Sequence, residues 1–444
     1  MSNKRIGCEN FGKYYLEGKR YRSRREWRGV TDTLYDYSRW LYNWVNMFRI
    51  VLVKPRNIKA MFRYRWMANY LAVPMMIDRH TQGLRGEHLR ICHAEQDIIV
   101  EDVAKLLDKL FRGDRRIGND TEFSKKVVLV DENEMQSIMM GFPTVVPLSR
   151  EIASTYIPVL LNQRAAIHYI DVAQEYGLAG DVCPMPEAEA GVSIDDDAPI
   201  LGCCAVQCNT TCDGSLLSNG VISKRMEFED GIPVFQLAAP LRHTNDDVQD
   251  YAAQEIRNAI AFIEEHTGEK WDWKYYFECA KRVNYATKCR LEWLEMSKSP
   301  YPQVFGSNLA LYTETNYMAI SGRLPVFEET DRKIMKLAEK AYKKKKMAAN
   351  EYRHRAIVWG VQSHFYMDFL VWLLNCWGIV PLTDMLSMDN TKMIAEEDTP
   401  ENREQAIYDI AMLTEKMIMR NRTHGGYKVL LDDLWEFVNE FNAD

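Results

Sequence analysis

The spacing of hydrophobic positions changes near residue 124 of this 444-residue chain. Before that point, apolar residues recur every three or four positions, as in Glu101–Phe111, which is typical of amphipathic helices. Beyond it, helical segments alternate with short β-branched runs, a pattern that predicts parallel sheets covered by helices. The predicted strands are Lys126–Asp131, Thr144–Pro147, Ile157–Leu161, Ile200–Val206, Gly231–Leu237, Ala356–Gly360 and Gly378–Leu382.

The pattern predicts an α/β fold with two Rossmann-like parallel-sheet units flanked by helices, and an additional helical N-terminal region. Helices are expected over Ala165–Tyr176, Thr244–Thr267, Trp273–Met296, Asp331–Ala349, Phe365–Cys376, Glu401–Arg420 and Leu430–Phe441. The predicted domains are a basic, aromatic-rich helical arm (1–123), a first α/β domain with the cysteine motifs (124–270), a helical linker region (271–350) and a second α/β domain (351–444). The last is expected to be incomplete, because its final helix should lead into another parallel strand.

The first 70 residues carry 16 Lys and Arg against 5 Asp and Glu, whereas the whole chain has a net charge of −7. Aromatic residues are interleaved with these basic residues. Nucleic acid, an acidic protein surface and the phosphates of a ligand such as coenzyme A could each pair with such an arm. Packing on a partner subunit or on the chain's own acidic body is the favoured interpretation, and no nucleic acid is expected.

Four of the ten cysteines lie in one segment, Pro199–Gly214. The chain start lacks an apolar leader, and Phe369–Val380 is too short to span a bilayer, so we expect a cytoplasmic protein without membrane association. Thiols stay reduced in the cytoplasm, so clustered cysteines indicate metal binding or catalysis rather than disulfides. The chain has no Cys-x2-Cys pair of the kind that zinc sites favour, whereas thiolates are the usual ligands of iron–sulfur clusters.

The individual cysteines differ in their surroundings. Cys203 and Cys204 lie inside an apolar run, which favours a packing role. For Cys208, the sequence favours neither a packing role nor metal binding. Cys212, which follows a polar turn, is the best ligand candidate. Cys183 is expected on a loop between a helix end and a proline-containing segment. The acidic run Asp195–Asp197 is expected to form a solvated loop tip.

Several segments match the pattern of a known family when they are taken in order. They are Leu161–Ala166, Gly180–Cys183, Cys208–Asp213, Gly231–Val234, Thr267–Lys270 and Phe277–Ala280. This series resembles the 2-hydroxyacyl-CoA dehydratase family, which also contains the benzoyl-CoA reductase core subunits. The resemblance covers about residues 140–444 and leaves out the basic arm.

The resemblance implies a heterodimer in which each subunit holds a [4Fe-4S] cluster through three cysteines from three α/β loops. Cys183 matches the first of these cysteines and Cys212 the second, and Cys208 is kept as a further candidate metal ligand. The third cysteine of the family would lie in a loop beyond Asp444, and Cys376 does not occupy the corresponding place. The expected partners are a second homologous dehydratase subunit, an ATP-hydrolysing iron–sulfur activator and an acyl-CoA substrate.

The implied reaction removes water from a 2-hydroxyacyl-CoA through a ketyl radical and gives a 2-enoyl-CoA. A phosphate-binding Gly-x4-Gly-Lys-Ser/Thr loop is absent from the sequence, which agrees with ATP being used by a separate activator. A serine often lies near the cluster in the family, and Thr144 is the candidate catalytic residue in its place. A benzoyl-CoA-reductase-like subunit and a cluster-free scaffold subunit remain as alternatives.

Overall fold

The computed structural model describes residues 28–131, 136–208, 213–240, 246–318, 322–347, 352, 354–359, 369–385, 387, 393–415 and 427–444. Helices flank two parallel sheets, and the residues described before the first strand form helices and their connections. The predicted α/β fold class is therefore confirmed. Across these residues, no helix combines the length and the apolar character needed to cross a membrane.

The N-terminal region is built around one long, largely buried helix, α4. Its helices are α1 (Val30–Leu52), α2 (Pro55–Arg63), a 3₁₀ helix (Arg65–Ala72), α3 (Val73–His80), α4 (Gly86–Gly113) and α5 (Thr121–Ser124). Two later helices, Ser307–Met318 and Pro325–Lys343, also pack on α4, and α1 covers another side of it. The predicted helix Glu101–Phe111 is confirmed as part of α4.

A buried ionic cluster attaches α1 to α4. The carboxylate of Asp36 lies 2.6 Å from the guanidinium of Arg28 and 2.8 Å from Nε2 of His93 on α4, and all three side chains are buried. Buried charges are tolerated when they are paired, so this cluster fixes the position of α1. Further along the arm, Lys54 binds Asp108 of α4 at 2.5 Å. All of these contacts lie within the predicted arm (1–123), and the Lys54–Asp108 pair joins its basic first 70 residues to an acidic residue beyond them.

The first sheet consists of four parallel strands in the spatial order β2-β1-β3-β4. The strands are β1 (Val127–Val130), β2 (Val146–Leu148), β3 (Cys204–Cys208) and β4 (Val234–Leu237). The sequence predicts all four, with slightly different ends. The chain goes from β1 to its neighbour β2, then crosses to β3 on the other side of β1, so the order reverses between β1 and β3.

Helices cover both faces of this sheet. They are a π-helical turn (Ile152–Tyr156), α6 (Ile157–Leu161), α7 (Ile167–Tyr176), α8 (Pro184–Ile194), α9 (Asp213–Phe228) and α10 (Asp246–Thr267). Ala205 of β3 packs in one hydrophobic cluster with residues of α8 and α9, whereas Val206 packs in another cluster with residues of α10. The two faces of β3 therefore contact different helices.

The strand predicted at Ile157–Leu161 is wrong, because these residues form α6. All five side chains are buried, so no polar position marks a helical period. A continuous apolar run of this length does not distinguish a strand from a fully buried helix. The π-helical turn before it carries the chain into α6 without a break.

The prediction of a solvated loop tip at Asp195–Asp197 holds for Asp195 and Asp196, which are exposed, and is wrong for Asp197. Asp197 is buried and accepts a 2.5 Å hydrogen bond from the hydroxyl of Tyr169. Asp196 pairs with three arginines from distant parts of the chain, namely Arg63, Arg116 and Arg225. The acidic run connects the N-terminal helices to the first sheet. The local sequence does not indicate these partners, because they lie far away along the chain.

The second unit contains a two-stranded parallel sheet. Its elements are α11 (Trp273–Lys298), α12 (Ser307–Met318), α13 (Pro325–Lys343), β5 (His354–Val358), α14 (Phe369–Trp372) with a π-helical turn (Leu373–Trp377), β6 (Ile379–Asp384), α15 (Pro400–Glu415) and α16 (Tyr427–Glu440). Helix α12 is not predicted from the sequence, and α13 begins and ends earlier than predicted. Thr244, the predicted start of α10, lies outside the described residues. The predicted domain boundaries stay predictions.

Arg355 fastens the C-terminal helix to this unit. Its guanidinium is buried and donates to backbone carbonyls at the end of α11 and after α16, including Ser297 (2.9 Å) and Phe441 (2.8 Å). Unpaired carbonyls at a helix C-terminus carry partial negative charge, so one cation satisfies two helix ends at once.

Candidate functional site

The candidate site lies where the four strands of the first sheet end, here named the carboxyl edge. In open parallel sheets, ligands bind beyond the carboxyl ends of the strands at the point where the strand order reverses. In this chain that point lies between β1 and β3, which end at Val130 and Cys208. The cysteine motif leaves the sheet at this place.

Asn219 of α9 connects the ends of β1 and β3. Its side-chain amide donates to the carboxylate of Asp131 at 2.6 Å and to the backbone carbonyl of Cys208 at 2.7 Å. Asn219 and Asp131 are buried, so both acceptors would be left without this donor if the amide were removed. The amide holds the two strand ends at a fixed separation.

Cys183 occupies the residue position just before α8. Its backbone is extended (φ −62°, ψ 128°), and Pro184 follows at the first helical position, where a proline is favoured. The Cys183 side chain is exposed. A Cβ built on Gly214, the second residue of α9, would stand 3.6 Å from the Cβ of Cys183. Cys183 therefore lies at the amino ends of two helices, α8 and α9.

This position favours an anionic sulfur. The first amide groups of a helix have no partner within the helix and carry partial positive charge. Helix amino ends lower the pKa of cysteine thiols and stabilise bound anions for this reason. A thiolate at Cys183, or a negatively charged group bound to it, would face two such ends.

The other two predicted cysteine ligands, Cys212 and Cys208, differ from Cys183 in what the structure shows of them. Cys212 lies outside the described residues, directly before the start of α9 at Asp213. Cys208 is fully buried in the hydrophobic cluster that contains Val130, Val206 and residues of α10. Gln207, on the opposite face of β3, bonds to Ser223 of α9. The Cys208 side chain therefore points away from the helix whose amino end adjoins Cys183.

Thr144 lies at the other end of the sheet, here named the amino edge. It precedes β2, whose first residue, Val146, pairs with the first residue of β1. The Thr144 amide donates to Glu269 at 2.8 Å, and its hydroxyl donates to the same carboxylate at 2.5 Å. Because the strands are parallel, the structure does not bring Thr144 together with Cys183. A catalytic role for Thr144 stays a prediction that this position does not favour.

Sequence reasoning missed three residues at the carboxyl edge: Asp131, Gly214 and Asn219. Asp131 could have been found, because it is the first polar residue after a buried parallel strand, the position at which such sheets bind ligands. Gly214 follows a motif cysteine by two residues, which is a weaker signal. The role of Asn219 depends on the position of α9 relative to two strands, so no local sequence pattern indicates it.

The residues at this edge can be tested against a [4Fe-4S] cluster, which needs thiolates that reach a common space. Cys183 is exposed beside the space that the missing side chain of Gly214 leaves, and position 212 precedes Gly214 by two residues. The helix amino ends would offset the negative charge of the group. The exposure of Cys183 beside Gly214 fits one cluster ligand. Among the described residues, no three His, Cys, Asp or Glu side chains are grouped to hold a metal ion, and Cys212 is outside that set.

Comparison with known proteins gives the family of the chain. The family model for the 2-hydroxyglutaryl-CoA dehydratase D-component matches residues 144–444, which include Cys183 and the cysteine motif. A search of curated proteins finds no match. The match covers more than half of the chain, and the chain therefore belongs to the 2-hydroxyglutaryl-CoA dehydratase D-component family.

Proposed function

We propose that the chain is a subunit of an iron–sulfur 2-hydroxyacyl-CoA dehydratase. In this proposal it acts with a second homologous subunit and with a separate ATP-hydrolysing activator. Membership of the dehydratase family supports the reaction type. The observation that carries the proposal is the position of Cys183, exposed at the amino ends of two helices beside the sheet's reversal point.

The chemistry explains why such a subunit needs a one-electron donor. The β-hydrogen of a 2-hydroxyacyl-CoA is not acidic, so acid–base catalysis alone does not eliminate water from it. A low-potential [4Fe-4S] cluster, when bound, supplies the electron that turns the thioester carbonyl into a ketyl radical able to expel the 2-hydroxyl group.

The chain's own residues then have separate tasks. Cys183 and Cys212 would hold the cluster, and the amino ends of α8 and α9 would stabilise its negative charge. Asn219 would keep the ends of β1 and β3 in place through its two hydrogen bonds. A ligand role for Cys208 remains a prediction, and the apolar surroundings of its side chain favour packing.

Product analysis tests the proposed reaction. The native chain, co-purified anaerobically with its partner subunit, would be incubated with activator, ATP and a 2-hydroxyacyl-CoA. The expected result is a 2-enoyl-CoA, with activity lost in Cys183→Ala and kept in Cys203→Ala. Cys203 is the matched control because its thiol lies at the start of β3, 3.2 Å from the Val127 carbonyl. Reduction of an aromatic acyl-CoA without dehydration would instead establish the reductase alternative.

A further inference from the structure

Two adjacent cysteines, Cys203 and Cys204, bring their sulfur atoms together at the amino edge of the first sheet. Their Sγ atoms lie 3.9 Å apart, which is close enough for a weak hydrogen bond between thiols. Successive side chains of a regular β-strand point to opposite faces of the sheet, so two neighbouring cysteines inside a strand would be kept apart. The closeness of these two sulfurs therefore needs a local cause.

The cause is a bend directly before β3. Gly202 has a φ of +99°, in the region that favours glycine, and Cys203 lies in the bend while β3 begins at Cys204. Cys203 therefore does not follow the alternation of the strand, and both cysteines pack with the same hydrophobic cluster on the α10 side of the sheet. The Cys203 amide and, in its neutral form, its thiol donate to the Val127 carbonyl at 2.9 and 3.2 Å. These bonds hold the Cys203 sulfur beside its neighbour.

The two cysteines differ in their access to solvent. Among the cysteines that the structure describes, Cys183 is exposed, Cys203 is partly exposed and the other five are buried. Cys204 is one of the buried five, with no exposed surface. A reagent from solvent therefore reaches the sulfur of Cys203 first and that of Cys204 only through it.

The neighbouring thiol also favours the anionic form of Cys203. A hydrogen bond from the Cys204 thiol lowers the pKa of Cys203 despite partial burial, and the backbone amides of the two residues act in the same direction. The same hydrogen bond, together with burial, raises the pKa of Cys204. Burial likewise raises the pKa of Cys279 and of Cys289. Because the thiolate is the reactive form of cysteine, Cys203 is the attacking sulfur of the pair.

We propose that Cys203 and Cys204 form an oxidant-sensitive pair that a peroxide converts into a reversible disulfide. The Cys203 thiolate attacks one oxygen of the peroxide, the O–O bond breaks, and Cys203 becomes a sulfenic acid while hydroxide or an alkoxide leaves. The Cys204 sulfur then attacks the sulfenic sulfur, and the departing hydroxide takes up the Cys204 proton to give water. The two thiols lose two electrons in total, and these electrons reduce one peroxide.

The second step becomes easier once the first has occurred. The Cys203 thiolate is the main cause of the raised pKa of Cys204, and oxidation of Cys203 removes that thiolate. Adjacent Cα atoms are about 3.8 Å apart across a trans peptide, which is shorter than the usual span of about 4.4–6.8 Å in disulfides. The product is therefore strained and easily reduced, as is typical of transient disulfides in reducing compartments.

This site is separate from the proposed cluster. The pair lies where β3 begins, whereas Cys183 lies beyond the carboxyl ends of the strands. The inference therefore does not depend on the proposed dehydratase function.

Mass spectrometry of each cysteine in the full chain tests the proposal. Anaerobically purified protein is treated with equimolar hydrogen peroxide, free thiols are alkylated with iodoacetamide in denaturant, and disulfides are then reduced and labelled with N-ethylmaleimide. Cys203 and Cys204 should carry maleimide in equal fractions, whereas Cys279 and Cys289 should carry the iodoacetamide product. Dithiothreitol added before alkylation should restore both thiols. Each cysteine is read separately, so a bound cluster does not affect the result.

Substitutions separate the roles of the two sulfurs. Cys204→Ser keeps a hydrogen-bond donor but lacks the second sulfur, so Cys203 should stop at a sulfenic acid that dimedone traps. Cys203→Ser should leave Cys204 unmodified, because a buried sulfur does not meet the oxidant. Cys279→Ser is the matched control, since Cys279 is buried in the same hydrophobic cluster, and this variant should form the disulfide as the native chain does. Thermal unfolding would show that the variants are folded.

The donor role of Cys204 has its own readout. At neutral pH, iodoacetamide should react with Cys203 several-fold more slowly in Cys204→Ala than in Cys204→Ser, because alanine provides no donor. Free thiols at both positions in the peroxide-treated native chain, or a disulfide from either one to a different cysteine, would overturn the proposal. Oxidation of Cys204 in Cys203→Ser would overturn the assignment of Cys203 as the attacking sulfur.

Discussion

The two edges of the first sheet use polar residues in opposite ways. At the amino edge, Thr144 is bonded to Glu269, and Arg323 donates to the carbonyls of Phe142 and Val145 at 2.8 and 2.7 Å. At the carboxyl edge, the inner polar groups are joined by Asn219, but Cys183 is exposed at two helix amino ends.

The polar residues of the amino edge hold the structure together, whereas the carboxyl edge presents the residues proposed for the chemistry. The amino-edge loop is closed further by Gly141, where a Cβ would stand within 2.4 Å of the Trp271 ring. The Trp271 ring therefore fills the space beside Gly141. The carboxyl edge combines strand ends bridged by Asn219 with an exposed cysteine, which the proposed cluster would use. Substitutions at the two edges should therefore have different consequences.

The largest effect is expected for Cys183→Ala. Loss of one thiolate should remove nearly all iron from the protein, because a cluster is held by few ligands. The measurement is the iron content of anaerobically purified protein. Cys203→Ala should retain the native iron content, and equal iron in Cys183→Ala and native protein would exclude Cys183 as a ligand.

A smaller effect is expected for Gly214→Val. An alanine Cβ at this position would make ordinary contacts with Cys183 and Pro186, but the larger valine should enter the space beside Cys183 and lower iron content several-fold. Gly220→Val is the matched control on the same helix, because a Cβ at Gly220 meets no atom within 4 Å. Similar iron content in both variants would show that this space is not used.

Asn219→Ala should destabilise the protein while leaving Cys183 intact. It removes the donor shared by Asp131 and the Cys208 carbonyl, which we expect to lower the free energy of unfolding by about 2 kcal/mol. Denaturant unfolding measures this change. Ser218→Ala, the neighbouring substitution, loses only a local bond to Ser215 and should cost less. Equal losses would contradict the bridging role of Asn219.

The smallest effect is expected for Thr144→Val. It loses an exposed hydroxyl–carboxylate bond at the amino edge, so stability should fall by less than about 1 kcal/mol, with iron content and turnover unchanged. Thr144→Ser keeps the hydroxyl and serves as the control. A tenfold or larger fall in turnover at unchanged stability would instead support the catalytic role predicted from the sequence.

The sequence predicts the sheets well because their strands are β-branched and separated by turn residues. It fails at Ile157–Leu161, where complete burial removes the polar positions that reveal a helical period. It also misses the burial of Asp197 and the ion pairs that Asp196 makes with arginines from α2, α9 and the segment after α4. Local patterns carry no information about such distant partners.

At the candidate site, too, the sequence indicates local features and misses those that depend on distant parts of the chain. The resemblance to the dehydratases points to Cys183 and Cys212, and the structure places Cys183 beside the start of α9. The resemblance could not indicate that Cys208 faces the opposite side of the sheet. That orientation depends on where β3 begins and on which helices cover each face. Nor could it separate Thr144 from the cysteines, since the two edges are distinguished only once the strand register is known.

The most direct test of the central claim is the iron and acid-labile sulfide content of the native chain, purified anaerobically with its co-expressed partner subunit. If the carboxyl edge holds a [4Fe-4S] cluster, the chain should contain about four iron and four sulfide, with an absorbance that dithionite bleaches. A chain that carries neither iron nor sulfide, alone or with its partner, would contradict the claim and favour a cluster-free scaffold subunit.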